Sequence, residues 1–415
     1  MKKKLRILLV WTLVSLLLQF GGYSLLNSQV QKVMNPVGVT IEPITVQLKA
    51  TIPGSDLKNI QISYAKDYLA YLENGTLKVF NLTNKKIVFE KKSPSETDKT
   101  LGVLTYQWLP DRDSLLYFYA KKNPNEVTTV KVYPSKPKIL PTVKPQSEDP
   151  NHPKIVPKEV PVEPVYEKRY GNPQITELHT LKFPNSDEDT AANDSLNTFD
   201  PPSGSEKISA GGKIEEFVNS AATNLMYLTV KNESAQSLMS IDIAKEVSTL
   251  HKLKGELINN IATSDRFGTL YFDSNVGNSH QVIALEGTTR KIISDHVNDR
   301  ILGISKGKVY IGQVENNELV KIKTTTDLVK LTNNPSLKTE WEGSIPFNKD
   351  VRWLISAKGQ IVIYDHKTAN IVTDGKLTEV KLQGDENYVS VDGAELIQLT
   401  KQGPSTLVEL QPLKP

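Results

Sequence analysis

A short unit of two strands joined by a tight turn recurs along most of this sequence. The stretch YLAYLENGTLKVFNL, Tyr68 to Leu82, shows the unit clearly, because alternating apolar and polar residues flank Asn74 and Gly75. An Asn-Gly pair readily adopts the positive φ angles of a two-residue hairpin turn, and alternation with a period of two is typical of a half-buried strand. The unit therefore predicts consecutive antiparallel hairpins.

The spacing of the repeats predicts how the hairpins are assembled. Third-strand segments begin at positions 76, 237, 281, 318 and 360, and three of the four gaps fit one repeat each. Repeats of roughly 35 to 50 residues with about four short strands are the sequence sign of a β-propeller. We expect an all-β propeller of about seven four-stranded blades. Six or eight blades would also fit the spacing, and tandem β-sandwiches are the alternative architecture.

Closure of the ring needs a strand from outside the last repeat, because that repeat has only about three strands. The segment TIEPITVQLKATI, Thr40 to Ile52, is strand-like and has no partner nearby in the sequence. Pairing it with the C-terminal strands would complete the last blade and remove its exposed edge. We therefore predict that one blade is built from both ends of the chain.

Three of the repeated units resemble the repeat of TolB-like and WD40-like β-propellers. They are SYAKDYLAYLENGTLKVFNL, WLPDRDSLLYFY and PFNKDVRWLISAKGQIVIYDHKTANIV. The resemblance covers most of Lys58 to Leu413, and Leu109-Pro110-Asp111 comes closest to the Ser-Pro-Asp-Gly turn of that repeat, which no unit has in full. The resemblance implies the propeller fold.

The N-terminus predicts where the propeller is located. Four cations lie in MKKKLR, and the span from Ile7 to Leu26 has no charged residue. A helix of about 20 residues is long enough to cross a membrane, and cations before it favour a cytoplasmic N-terminus. We predict a basic cytoplasmic tail at 1–6, a transmembrane anchor at 7–26, a juxtamembrane linker at 27–39, and a propeller at 40–415. A cleaved signal peptide is the alternative for 7–26. Either reading places the propeller outside the cytoplasm, and the first makes the chain a single-pass protein of the cell membrane.

Two insertions interrupt the repeats. The first, 134–172, is dense in proline, which disfavours sheet pairing and favours an extended, solvated arm within the second blade. The second, 184–212, is predicted to be a disordered acidic loop, since its carboxylates do not have the spacing of an EF-hand loop. Its acidic residues, with no cation among them, are Asp187, Glu188, Asp189, Asp194 and Asp200.

Composition excludes several classes of function. The chain has no cysteine, so it has no thiolate nucleophile and no Cys-ligated metal site. Its net charge of +3 includes the four cations before position 7, so the remainder sums to −1. A near-neutral body lacks the basic patch of a nucleic-acid-binding protein.

No motif in the sequence identifies a catalytic, cofactor-binding or metal-binding residue. Gly303 to Gly307, GISKG, matches the G-x-S-x-G pattern of hydrolases, but strand-like sequence on both sides of Ser305 favours a hairpin turn. Trp108, Trp341 and Trp353 have the character of blade-packing residues. The histidines are scattered without the spacing of a ligand pair, at His152, His179, His251, His280, His296 and His366.

These observations favour a non-catalytic module that binds or scaffolds outside the cytoplasmic membrane. The expected partner is a protein or a cell-envelope polymer, with no cofactor and no nucleic acid. The first alternative is a propeller hydrolase or lyase with a site built from blade loops at the central channel, because such dispersed residues leave no sequence motif. The second alternative is a membrane-bound envelope sensor.

Overall fold

The computed structural model describes residues 47–132, 164–184, 191–199, 208–209, 211–220, 222–233, 235–327 and 336–413, together with Ser15 and Gln19. These residues form seven four-stranded antiparallel sheets and one two-stranded sheet, which confirms the prediction of a seven-bladed propeller. The predicted tail, anchor and linker lie outside the described residues, apart from Ser15 and Gln19. Within the described part of the chain, no helix is both long and apolar enough to cross a membrane.

The strands follow one another around the ring in chain order. Blade 1 contains β2 (Lys58–Ile62), β3 (Tyr68–Glu73), β4 (Thr76–Asn81) and β5 (Lys86–Lys91). Blade 2 contains β6 (Gly102–Trp108), β7 (Ser114–Lys122), β10 (Gln174–Lys182) and β11 (Asn193–Thr198). The small separate sheet pairs β8 (Val127–Val132) with β9 (Val165–Tyr170). Blade 3 contains β12 (Lys213–Ser220), β13 (Leu225–Asn232), β14 (Ala235–Ile241) and β15 (Val247–Thr249).

The remaining blades repeat the same order. Blade 4 contains β16 (Glu256–Thr263), β17 (Leu270–Val276), β18 (Ser279–Glu286) and β19 (Thr289–Ser294), and blade 5 contains β20 (Asp299–Ser305), β21 (Lys308–Glu315), β22 (Glu318–Thr326) and β23 (Lys338–Pro346). Blade 6 contains β24 (Arg352–Ile355), β25 (Ile361–Tyr364), β26 (Thr368–Thr373) and β27 (Lys376–Lys381). Blade 7 contains β28 (Glu386–Val389), β29 (Glu395–Gln402), β30 (Ser405–Pro412) and β1 (Leu48–Pro53).

The first strand of each blade is the innermost one. From blade 1 to blade 6, the first strands of neighbouring blades contact one another, in the order β2, β6, β12, β16, β20 and β24. The later strands of each blade extend outward in sequence, so the fourth strand lies at the periphery. The inner strands consequently line the central channel, and any site in the channel must be built from their side chains.

The up-and-down order gives the ring two different faces. We call the face where each first strand begins the upper face; it also carries the turns between second and third strands. The lower face carries the turns between first and second strands. In the lower turns a buried serine hydroxyl accepts backbone N–H groups, as in Ser63, Ser264, Ser356 and Ser390. These bonds satisfy polar groups that the tight turn removes from water.

The two ends of the described chain meet in blade 7. Strand β1 pairs antiparallel with β30 from Leu48 opposite Leu410 to Pro53 opposite Ser405. Ala50 and Ile52 are buried in a core cluster shared with residues of blades 1 and 7. Closure by an N-terminal strand is therefore confirmed, although the strand begins at Leu48 and residues 40–46 lie outside the described part. Because Leu48 is at the lower end of β30, the N-terminal segment joins the ring at its lower face.

Apolar side chains on both faces of the sheets form the cores between blades. Trp108 is 1% exposed and packs with Tyr68 and Tyr117 between blades 1 and 2. Trp341 is buried between blades 5 and 6, where Trp353 is only partly buried. Stacking of blades through such large aromatic side chains removes apolar surface from water on both sides of each sheet.

Two regular elements lie inside the ranges predicted to be irregular. The predicted acidic loop, 184–212, contains β11, which pairs with β10 as the outer strand of blade 2. The prediction of a disordered loop is therefore wrong for Asn193–Thr198, because pairing completes a sheet whose third strand would otherwise have an open edge. Similarly, 134–172 includes β9, whereas residues 133–163 lie outside the described part.

Candidate functional site

A cavity of about 360 Å³ opens in the wall of the central channel. It is formed by the inner strands of four consecutive blades and by the residue just before β24. The lining residues are Glu216, Asn260, Ile261, Ala262, Ile301, Leu302, Val351, Arg352 and Trp353. We call this space the channel cavity.

β-Bulges in the inner strands shape the channel cavity. The register shifts between Ile214 and Glu216 in β12, between Asn259 and Ile261 in β16, and between Ile301 and Gly303 in β20. A bulge adds one residue and redirects the side chains beside it. In β16 the extra residue is Asn260, with φ of 46°, a conformation that asparagine tolerates better than most residues. The bulge thus places an amide at the cavity wall.

A buried carboxyl group supports that amide. Asp273 is 0% exposed, and its Oδ2 accepts a hydrogen bond of 2.8 Å from Asn260 Nδ2. Its Oδ1 accepts a 2.8 Å bond from the backbone N–H of Ile301. Burial raises the pKa of Asp273 to about 7, and the nearby Glu216 adds to this effect, while the two hydrogen bonds oppose it. Asp273 therefore holds β16 and β20 together and fixes the orientation of Asn260.

Glu216 is the titratable carboxyl group that lines the channel cavity itself. Burial raises its pKa to about 7, and the neighbouring Glu215 raises it further. Its backbone N–H donates to Thr229 Oγ1, which fixes the strand at the bulge. Near neutral pH, Glu216 is present in both protonated and ionised forms, so it can donate a hydrogen bond as well as accept one.

Arg352 connects the channel cavity to a second cavity at the upper face. The guanidinium carbon of Arg352 lies 4.5 Å from the ring centroid of Tyr388, whose hydroxyl donates a 3.0 Å bond to Glu386 Oε2. This upper cavity has a volume of about 410 Å³ and lies between blades 6 and 7. It is lined by Lys349, Asp350, Arg352, Tyr364, Asp365, His366, Glu386, Asn387 and Tyr388. The mouth of the channel is polar at this point and carries charges of both signs.

The serine of the G-x-S-x-G match, Ser305, lines neither of these two cavities. Ser305 ends β20 on the lower face, and its Oγ donates a 2.9 Å bond to the carbonyl oxygen of Ser356. Lys306 and Gly307 form a hairpin turn with φ of 52° and 66°. The turn leads into a strand and not into a helix, so the geometry of a hydrolase nucleophile is not formed.

The described histidines are separated from one another. His179 is buried in β10, where Nδ1 lies 3.1 Å from Asp194 Oδ1, Nε2 lies 3.2 Å from Glu177 Oε2, and the ring stacks on Tyr117. His280 bonds to Asn275 Oδ1, and His366 lies at the upper cavity. Among the described residues, no group of three or more His, Asp or Glu side chains is arranged to hold a metal ion. His152 lies outside the described part.

The hairpin formed by β8 and β9 is located on the upper face of blade 2. It leaves the sheet after β7 and returns at β10, and its base is fixed by a 2.9 Å bond from Asn172 Nδ2 to the carbonyl oxygen of Ile208. All six residues of β9 are exposed, with Tyr166 at 66% and Tyr170 at 75%. Exposed aromatic side chains grouped on one element are candidates for a contact surface. We call this element the upper hairpin.

Sequence reasoning gave the central channel as an alternative site but named no residue of the channel cavity, and it did not identify the upper hairpin as a site. One signal was available in the stretch ELINNIAT, Glu256 to Thr263, where two asparagines interrupt an inner strand. Asparagine is depleted in strands and enriched at positive φ, so the pair was compatible with a bulge. The partners of Asn260 come from other strands and could not be found from the sequence.

Comparison with known proteins adds little beyond the fold. No family model matches the sequence, and no curated protein matches it. The solved structures it resembles include the β-propeller domain of Cps50 (Swd1) from Myceliophteria thermophila, with 11% identity, a TM-score of 0.48, and coverage of 88% of this chain and 98% of that chain. A catalytically inactive virginiamycin B lyase from Staphylococcus aureus, solved with quinupristin, has 12% identity, a TM-score of 0.48, and coverage of 89% and 99%.

A third similar structure is hydrazine synthase from Kuenenia stuttgartiensis, with 10% identity, a TM-score of 0.45, and coverage of 86% of this chain and 96% of that chain. At such low identity, a structural likeness reflects the fold alone. The seven-bladed assignment therefore rests on the strand order of this chain, and its function has to be argued from its own residues.

Proposed function

We propose that this protein is a non-catalytic binding module of the TolB-like type, anchored in the cell membrane by its N-terminal segment and exposed outside the cytoplasm. The upper face of its propeller engages a protein or a cell-envelope polymer. The observation that carries the proposal is the upper hairpin, a two-stranded ribbon with exposed aromatic side chains. A two-stranded hairpin is marginally stable in water by itself, which favours a role in contact with a partner.

The register of the upper hairpin indicates the chemistry of that partner. Tyr166, Lys168 and Tyr170 point to one face of β9, because residues two positions apart share a face. Their cross-strand partners on β8 are Lys131, Thr129 and Val127. This face carries two cations and two tyrosines and has no carboxylate. Aromatic residues and cations together suit an acidic partner, which the cations attract and the rings contact.

The topology supports a membrane-anchored arrangement. The N-terminal segment joins the ring at the lower face through β1, whereas the upper hairpin projects from the opposite face. An anchor on the N-terminal side of β1 would leave the hairpin directed away from the membrane. Carbonate washing of membranes tests the anchor: we expect the full-length chain to stay in the pellet, and its release would contradict the proposal.

Binding by the upper hairpin can be tested on the full-length protein in detergent. The ligands are poly-glutamate, as an acidic polypeptide, and isolated cell-envelope material, assayed by co-sedimentation over a range of salt concentrations. We expect one of these ligands to bind, with affinity that falls as salt rises. Replacing Tyr166 and Tyr170 with serine should weaken binding by about tenfold or more, equivalent to at least about 1.4 kcal/mol.

A matched control uses exposed residues on the outer strand of blade 6. Lys376 and Leu377 of β27 are both exposed, and replacing them with serine removes a cation and an apolar side chain far from the upper hairpin. Binding should be unchanged in that variant. If both variants lose binding equally, or if neither ligand binds the original protein, the hairpin is not the docking element.

A second candidate function is supported by one observation at the channel. Glu216 titrates near pH 7 in a cavity, and a carboxyl group with such a pKa can serve as a general acid or base. Asp273 is fully buried and does not line the cavity, so it is not placed to act on a ligand as a second catalytic carboxyl group. One carboxyl group is weaker support for a hydrolase or lyase than the exposed upper hairpin is for a binding function.

A further inference from the structure

The channel cavity is lined by both apolar and polar residues. Ile261, Ala262, Leu302, Val351 and Trp353 supply the apolar lining. The indole of Trp353 packs against Phe347 with 4.9 Å between ring centroids, so its position is set by the protein. Small-molecule sites typically combine such an apolar wall with a few fixed polar groups.

The polar groups of the cavity are held in place before any ligand arrives. Asn260 uses its Nδ2 to bond Asp273, so its amide oxygen is the atom left to accept a hydrogen bond from a ligand. Asp273 is itself fully buried and is held by the backbone of β20. A polar group fixed by a buried partner loses little conformational freedom on binding, which strengthens its interaction with a ligand.

The polar groups of the cavity suit a ligand that carries hydroxyl groups. Burial raises the pKa of Glu216 to about 7, so its carboxyl group is partly protonated at neutral pH when the cavity is empty. A protonated carboxyl both donates and accepts a hydrogen bond, as a hydroxyl group does. Arg352 also lines the channel cavity, but its guanidinium stacks on Tyr388 at the upper cavity.

We propose that the channel cavity binds one unit of a neutral saccharide, with hydroxyl groups bonded to Asn260 and Glu216 and the C–H face of the sugar against Trp353. Its volume of about 360 Å³ is near the lower end of small-molecule sites, which span roughly 300 to 1,000 Å³. The cavity accordingly accepts a single sugar unit and not a longer segment. This site is separate from the upper hairpin and goes beyond the function proposed above.

Ligand-observed NMR on the full-length protein tests the site. The probes are glucose and N-acetylglucosamine, with glycine and inorganic phosphate as ligands of a different chemical class. We expect at least one sugar to bind with a Kd of about 1 mM or tighter. Glycine and phosphate should show no saturable binding. Saturable binding of glycine or phosphate without a sugar, or no binding at all, would overturn the proposal.

Three variants localise the sugar to the cavity. Glu216→Ala removes the carboxyl, and Asn260→Gly removes the amide while retaining a residue that accepts a φ of 46°. Each should weaken sugar binding by about tenfold, or about 1.4 kcal/mol. Glu379→Ala is the matched control, because Glu379 is exposed on the outer strand of blade 6 and does not line the cavity. It should bind the sugar normally.

Two further outcomes separate this proposal from the proposed function and from loss of folding. Replacing Tyr166 and Tyr170 with serine should leave sugar binding unchanged, so a failure of the hairpin proposal would not affect this result. Circular dichroism and thermal unfolding should show the same fold in the cavity variants. An equal loss of sugar binding in Glu379→Ala and Glu216→Ala would place the sugar elsewhere and contradict the cavity site.

Discussion

Lys66 Nζ lies 2.6 Å from Asp392 Oδ2, although the two residues are 326 positions apart in the sequence. The pair joins the lower turn of blade 1 to the lower turn of blade 7, next to the seam where the ring closes. Their side chains are only 2% and 11% exposed. Closure consequently has two components, the pairing of β1 with β30 at the periphery and this buried ion pair near the inner end of the blades.

Breaking the buried ion pair should cost far more stability than breaking an exposed pair at the same seam. Asp392→Asn leaves the Lys66 cation buried without a counter-charge, which typically costs about 3 to 5 kcal/mol. Lys49 and Glu409 also link β1 to β30, at 2.8 Å, but their side chains are 64% and 39% exposed. Glu409→Gln should therefore cost at most about 1 kcal/mol. Urea denaturation measures both changes, and equal losses would contradict this account of closure.

Removal of β1 should open the ring. A chain that begins at Ser55 lacks the strand that pairs with β30 and exposes the apolar surface covered by Ala50 and Ile52. We expect this chain to self-associate, because an open strand edge can pair with another molecule. A chain that begins at Gln47 keeps β1 and should be monomeric. Light scattering after gel filtration separates the two outcomes. A monomeric, equally stable Ser55 chain would show that closure does not depend on β1.

Shortening of the proline-rich insertion should not destabilise the propeller. Val132 and Val165 are cross-strand partners at the end of the upper hairpin, so a two-residue Asn-Gly turn can replace residues 133–164. We expect the free energy of unfolding to be unchanged or to rise by up to about 2 kcal/mol, because a shorter loop costs less entropy to close. A clear decrease in urea denaturation would show that the insertion packs against the blades.

Ionisation of Glu216 should lower the free energy of unfolding as the pH rises. Its folded pKa of about 7 is above the usual glutamate value of 4.5, so the folded state binds more protons between these values. This contribution is present below about pH 4.5 and is lost as pH rises through 7. Glu216→Gln removes this titration. We therefore expect the difference in free energy of unfolding between the variant and the original protein to favour the variant by up to about 3 kcal/mol more at pH 8 than at pH 4.

Thermal unfolding at several pH values measures this difference, with Glu379→Gln as the control, because Glu379 is exposed on β27. Asp273 also has a raised pKa, and because the Glu216 carboxylate contributes to it, part of the gain in Glu216→Gln comes from Asp273. A gain for Glu216→Gln that is equal at all pH values would show that burial does not shift the titration of this carboxyl group.

Local and repeated features of the fold were predictable from the sequence. Asn74 and Gly75 have φ of 50° and 75° and connect β3 to β4, which confirms the hairpin predicted from the Asn-Gly pair. The number of about seven blades could be predicted, because each four-stranded sheet needs a repeat of roughly 35 to 50 residues. Closure through an N-terminal strand could also be predicted, because an incomplete last repeat leaves an edge that must be covered.

Features that depend on contacts between blades could not be predicted. β11 has an acidic, polar sequence, and it becomes a strand because β10 offers an open edge. The support of Asn260 by Asp273 joins two strands through side chains, and Asp273 also bonds β20 of the next blade. The sequence contains each of these residues, but only the folded ring shows which of them meet.

The direction of β1 determines how the ring responds to a mechanical load. A pull on the N-terminal side of Leu48 acts along the strand axis, while β30 holds all six residues of β1 in antiparallel register. The load is then shared among the ladder of backbone hydrogen bonds and does not open them one after another, as it would if the strand were peeled from its end. The outer strand of blade 7 is therefore a shear-resistant attachment point, suited to transmit force between the lower face and the rest of the propeller.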